Sequence, residues 1–162
     1  MAWRVALVAF GLAVGSGLDS IAAGQADKND PVRVTAVLKG RSPEAGGKER
    51  LEAEVVLEIA AGWHVYANPA GDETLVATTV SVLDVPASEV SVRYPKGKPH
   101  HDEALGTVWH YQGRTTIGVT VTREARQVGK PRSLELRVRY QACSDTRCLA
   151  PKTAVLSLPL AP

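Results

Sequence analysis

Cys143 and Cys148 are the only cysteines in the chain, and four residues separate them. They lie in the stretch YQACSDTRCLAPKT, residues 140–153. Such a pair can be a dithiol that exchanges electrons with a partner, or an inert bridge. Magnitudes bear on the choice. A bridge closing so short a loop removes on the order of 2 kcal/mol of unfolded-chain freedom, against about 4.7 for a hundred-residue loop. A staple selected for stability would join distant strands, as the inter-sheet bridge of antibody domains does. A short bridge on a tight turn is also more readily strained, and strained or exposed bridges exchange more readily. Arg147 precedes Cys148 and Lys152 follows it by four residues. Positive charge favours the thiolate, which is the attacking species, whereas Asp145 acts in the opposite sense. The C-x4-C spacing is not the C-x-x-C redox motif. Spacing and charge leave a redox pair and a structural bridge equally open.

The elements around the pair read as strands. Leu134, Leu136, Val138 and Tyr140 alternate with Glu135, Arg137, Arg139 and Gln141 on the way in. Leu156, Leu158 and Leu160 alternate on the way out. This predicts a β-hairpin with the cysteines at or near its tip. Upstream, residues 32–38 predict a first strand. Residues 39–50, with Gly40, Pro43, Gly46 and Gly47, predict a loop. In residues 51–59, Leu51, Ala53, Val55, Leu57 and Ile59 share one face and Glu52, Glu54 and Glu58 the other, the period of a sheet with one wet side. Short strands are expected at 62–66, 76–83 and 90–94. Residues 95–106 read as a long polar connection, 107–111 and 115–122 as a hairpin around Gln112 and Gly113, and 123–132 as a charged loop. About nine short strands at 8–12-residue spacing predict an all-β, immunoglobulin-like antiparallel sandwich, with an up-and-down barrel as the alternative.

The first residues stand apart. Residues 1–4 are basic, 5–15 apolar, and 16–26 small and polar. That is the layout of a secretory signal peptide, with cleavage expected after Ala26, or after Ala22 or Ala23, and a single domain over 27–162. The apolar run is short for a membrane span. An exported, oxidising compartment is one where disulfides persist. A net charge of +2 predicts no nucleic-acid partner and no strong attraction to membrane surfaces.

The stretch 140–153 resembles the redox motif of the N-terminal periplasmic domain of the thiol:disulfide interchange protein DsbD. That motif runs Tyr-Gln, a small residue, Cys, a short polar insert, Cys, then a Pro-containing exit. HDEALG at 101–106, YQGR at 111–114 and the strand after it resemble the family's cap-loop segment. GWHVY at 62–66 resembles its aromatic segment, so the likeness spans about 50–160. The resemblance implies an immunoglobulin-like fold that passes electrons between thioredoxin-like proteins. It implies that Cys143 and Cys148 are the active pair and that Cys148 forms the mixed disulfide. It further implies that Asp102 and Glu103 are the acidic pair of a cap loop over the cysteines, and that Tyr66 is an aromatic beside the site. Three positions depart from the pattern. Ala104, followed by Leu105, stands where the family's cap aromatic is expected, and His64 where a second Tyr is expected. The insert is one residue shorter than in the best-known members. The implied location is the periplasm. The implied partners are thioredoxin-fold periplasmic proteins and a separate membrane electron donor. The chain is expected to act as a protein-disulfide reductase or electron-carrier domain. A monomer is expected, with no cofactor, no bound metal and no small-molecule substrate.

Other chemistry finds less support. His100, His101, Asp102 and Glu103, with His110 nearby, contain metal-ligating types, but adjacent histidines on an extended segment point apart, and a solvated loop is the simpler reading. Trp63 and Trp109 read as packing residues. No G-x-S-x-G, P-loop or H-E-x-x-H motif is present. The competing functional class is a non-catalytic secreted β-sandwich that binds a partner and carries a structural disulfide.

Overall fold

The structure, a computed structural model, describes residues 21–23, 29–83, 85–86, 89–125 and 133–160. Twelve strands form among them: β1 (Ile21–Ala23), β2 (Val32–Glu44), β3 (Lys48–Ile59), β4 (His64–Tyr66), β5 (Thr79–Val82), β6 (Val90–Arg93), β7 (Lys98–Asp102), β8 (Gly106–Tyr111), β9 (Arg114–Glu124), β10 (Ser133–Tyr140), β11 (Ala142–Cys143) and β12 (Lys152–Pro159). They make three sheets, ordered β1-β2-β3-β9-β6, β12-β10-β5 and β11-β4-β8-β7. Every ladder between these strands is antiparallel. The fold is an immunoglobulin-like β-sandwich. No α-helix occurs among the described residues, and no described helix is long and apolar enough to cross a membrane.

Alternation builds the core. Leu51, Val55 and Leu57 of β3, Ile117 of β9, Leu134 and Leu136 of β10, and Leu156 and Leu158 of β12 are fully buried and pack in one cluster. Each such side chain contributes about 1.5–3 kcal/mol relative to an exposed position. β10 and β12 pair without interruption from Ser133↔Pro159 to Tyr140↔Lys152. This is the hairpin expected around the cysteines. Asp30 pins the end that carries the cysteine turn: Tyr140 Oη donates to Asp30 Oδ2 at 2.9 Å, and Lys152 Nζ lies 2.9 Å from the same oxygen.

Three expectations differ from the structure. Residues 39–50 are not a loop. β2 and β3 continue as one ladder to Glu44↔Lys48, past an irregularity between Leu38 and Gly40. Buried Glu49 holds this extension, accepting from Arg41 Nε at 2.6 Å and Arg123 Nε at 2.9 Å. Gly46 and Gly47 close it at φ 74° and 76°, a left-handed turn that side chains resist. Second, the polar connection 95–106 contains β7, whose side chains are mostly exposed. An edge strand with two wet faces has no apolar alternation to read. Third, β8 and β9 are not a hairpin. The turn at Gln112 and Gly113 carries the chain from one sheet to another. Within the segment read as the leader, Ile21–Ala23 pairs with β2 at Val37, Ala36 and Thr35. The rest of the leader, 1–20 and 24–28, and most of the charged loop, 126–132, lie outside the described residues.

Candidate functional site

The site forms where the β10–β12 hairpin meets the four-stranded sheet. After Tyr140 the chain leaves β10 and makes β11, which pairs with β4: Ala142 opposes Val65, and Cys143 opposes His64. Val65 and Ala142 face the core. Side chains alternate along a strand, so Cys143 and His64 share the other face. Cys143 is bonded to Cys148 through a disulfide whose Cα atoms are 4.0 Å apart. The two cysteine residues have opposite environments. Cys143 is 1 % exposed, whereas Cys148 is open to solvent.

The enclosed turn is held from within. Ser144 N donates to Arg147 O at 2.8 Å, and Ser144 Oγ accepts from Arg147 N at 3.3 Å. Leu149 N donates to Ala142 O at 2.8 Å, and Gln141 Nε2 to Leu149 O at 2.9 Å. These bonds fix the backbone on both sides of the pair. The Arg147 guanidinium lies 5.7 Å from the Trp63 ring centre, which directs its charge over the aromatic segment beside the turn. A shallow cleft at this edge is lined by Gly62, Trp63, His64, Gln112 and Asp145.

His64 begins an aromatic row. Its ring stacks on His110 of β8 at 3.9 Å and 14°. His110 also stacks on His100 of β7 at 5.0 Å, and Tyr66 meets both His64 and His110 edge-on. His110 is only 6 % exposed, and its Nε2 has no hydrogen-bond partner among the described residues. Burial, then the neighbouring His64 and His100, pushes the His110 imidazole down to about 4. Burial and His100 also lower His64, with Asp145 opposing them. Both rings are therefore neutral at pH 7.

Asp102 reaches the same face. Burial and the Asp102 carboxylate push the Tyr66 phenol up. Backbone N–H groups of Leu105 and Ala104 donate to Asp102 Oδ1 at 2.9 and 2.8 Å and hold its carboxyl below the usual range. The turn between β7 and β8 is thus ordered by its own aspartate. Glu103, Ala104 and Leu105 at its tip are exposed, Leu105 by 37 %.

The structure brings Cys143, Cys148, His64 and Tyr66 together, while Asp102 lies farther along the same sheet opposite Gly106, within electrostatic reach of Tyr66, and Glu103, Ala104 and Leu105 are exposed in the turn beyond it. Sequence reasoning passed over His110, and over His100 as its neighbour, as parts of this face. Both contacts are made across strands, and the sequence signal was confined to His64 and Tyr66 lying two residues apart. Among the described residues no group of three His, Cys, Asp or Glu side chains is placed to hold a metal ion.

Comparison with known proteins adds the family. The pattern described as "Thiol:disulfide interchange protein DsbD, N-terminal" matches residues 32–160. The chain belongs to the DsbD N-terminal family. That family is the N-terminal part of a thiol:disulfide interchange protein, and this member carries one cysteine pair. Among solved structures it is similar to the N-terminal periplasmic domain of ScsB from Proteus mirabilis, with a TM-score of 0.65 and 15 % identity over 88 % of this chain and 52 % of that one. The chain therefore spans about half of that relative's length. It is also similar to the DsbD N-terminal domain of Neisseria meningitidis in the reduced form, with a TM-score of 0.46 and 20 % identity over 66 % of this chain and 75 % of that one. No curated protein matches significantly.

Proposed function

We propose that this DsbD N-terminal domain relays electrons between thioredoxin-fold proteins of the periplasm through Cys143 and Cys148, receiving them from a membrane donor. One observation carries the reading: the disulfide joins one exposed residue, Cys148, to one buried residue, Cys143. A structural bridge has no need of such asymmetry. An exchange site does, because a partner thiolate must reach one sulfur in line while the other leaves. Family membership over 32–160 supports the same chemistry.

In the relay, a donor thiolate attacks Cys148 Sγ and forms a mixed disulfide, and Cys143 is released. The donor's second thiol then displaces Cys148, leaving the dithiol on this chain. The reverse sequence reduces an acceptor disulfide. Tyr66, beside His64, and the turn bearing Asp102 and Glu103, whose aspartate acts on Tyr66, serve in this reading as the cap of the cysteine pair. The domain works as a monomer without a cofactor.

Trapping tests the relay. Cys143→Ala expressed in the periplasm leaves Cys148 as an unresolved thiol. It is expected to accumulate covalent adducts with thioredoxin-fold proteins that dithiothreitol releases. Absence of such adducts, with a reduction potential below about −300 mV, would instead support a structural bridge.

A further inference from the structure

We propose that His64 is the proton acceptor for Cys143, serving as general base when the dithiol reoxidises and as general acid when the disulfide opens. The proposal deepens the exchange reading and rests on it. Three features of the geometry carry it. First, Cys143 and His64 are directly opposed in the β11–β4 ladder and share its non-core face. Opposed residues in an antiparallel pair have Cβ atoms about 4.5–5.5 Å apart, within reach of a ring nitrogen and a thiol. Second, the His64 ring is held. It stacks on His110 at 3.9 Å and meets Tyr66 edge-on at 5.7 Å, so its plane is set before any partner arrives. Third, Cys143 is 1 % exposed, so bulk water is poorly placed to take its proton, whereas half-buried His64 borders the solvent-facing cleft and can pass the proton on.

The chemistry balances as follows. The Cys148 thiolate attacks an acceptor disulfide, giving a Cys148–partner mixed disulfide and the partner's first thiolate. Cys143 Sγ–H then gives its proton to the free ring nitrogen of His64. The Cys143 thiolate attacks Cys148 Sγ; the Cys143–Cys148 bond forms and the Cys148–partner bond breaks. The partner's second sulfur leaves as a thiolate and takes a proton from the imidazolium or from water. Two electrons pass from this chain to the acceptor.

The groups facing His64 fit the role. They are Cys143 from β11, Asp145 from the cysteine turn, Tyr66 from its own strand, His110 from β8 and His100 from β7. Lys98 stands opposite His110, and Asp102 acts on Tyr66. The histidine neighbours and burial keep His64 neutral, hence able to accept, and Asp145 is the one close group that stabilises the imidazolium once formed.

The gain is bounded. A free thiol is a few per cent thiolate at pH 7, so assisted deprotonation can raise the resolving rate by about tenfold, less than the usual range for general bases. Reduced full-length protein is mixed with dithiobis(nitrobenzoate) in a stopped-flow cell. Cys148 releases the first thionitrobenzoate in a concentration-dependent phase, and Cys143 releases the second in a concentration-independent one. In His64→Phe, which keeps a ring on His110, the second phase is expected to slow about tenfold at pH 7, and the deficit to shrink as pH rises and hydroxide removes the thiol proton unaided. In His64→Ala, added imidazole is expected to restore the rate. Equal rates at pH 7, or a deficit that persists unchanged at high pH, overturn the proposal while leaving the exchange reading intact. If wild-type protein shows no second phase and reduces no thioredoxin-fold disulfide, the exchange reading itself falls and His64 has no reaction to assist.

Discussion

At the scale of residues, the site is defined by differences between like groups. Two cysteines of one disulfide differ in exposure, and that difference predicts their order of reaction. Reduced protein treated with limiting iodoacetamide at mildly acidic pH is expected to be alkylated first at Cys148, located by peptide mass mapping, because Cys143 is buried against β4. First labelling at Cys143 would reverse the roles. The histidines make a second prediction. His110 is lowered to about 4 in the fold, against about 6.5 in the unfolded chain. Between these values the unfolded state binds the extra proton, so stability rises with pH. The contribution is fully present above pH 6.5 and is lost as pH falls through 4. After allowance for solvent screening it is on the order of 1–2 kcal/mol. In His110→Phe the urea midpoint is expected to fall less between pH 7 and pH 4 than in wild type. An unchanged slope would mean that the buried ring is not the group responsible.

At the scale of elements, the site depends on strands that the sequence announces to different degrees. β3, β9, β10 and β12 were legible because each has one wet and one dry face, so residues such as Leu51 and Glu52 or Leu136 and Arg137 alternate with period two. β7 was not legible, because Lys98, Pro99, His100 and His101 are all exposed and leave no pattern. The β8–β9 turn was misread as a hairpin because local alternation reports a strand but not the sheet it joins. The cysteine turn, His64 and Tyr66 were legible through a motif. The stacking of His110 between His64 and His100 was not, since it needs the distant strand β4 laid beside the unread β7–β8 pair. Such an element also carries a test. The turn after β7 is ordered by Asp102 Oδ1, and its carboxylate acts on Tyr66. If this turn is the cap, replacing residues 103–105 by a shorter link is expected to speed reduction of the disulfide by dithiothreitol, because access limits exchange. Cys148 is already exposed, so the acceleration should be a few-fold at most. An unchanged rate would remove the turn from the site.

At the scale of the whole molecule, an electron carrier must stay folded in both redox states, and the distribution of stability decides whether it can. The main apolar cluster runs through the sheets from Val32 to Leu160 and holds together without either cysteine, although Cys143 is itself buried beside it. The bridge spans a sequence separation of 5, so the chain-entropy model assigns it at most about 2 kcal/mol. The backbone around it is held separately by the bonds of Ser144, Leu149 and Gln141. Reduction is therefore expected to leave a cooperative unfolding transition, with the melting temperature lowered by about 10 °C at most. Leu136→Ala, which empties a fully buried position between β5 and β12, is expected to cost about 2–5 kcal/mol and to lower it further than reduction does. Calorimetry of the oxidised, reduced and Leu136→Ala proteins compares the three. A reduced protein that melts below the core variant, or without cooperativity, would show that the bridge holds the fold together, and a domain that unfolds on accepting electrons could not pass them on.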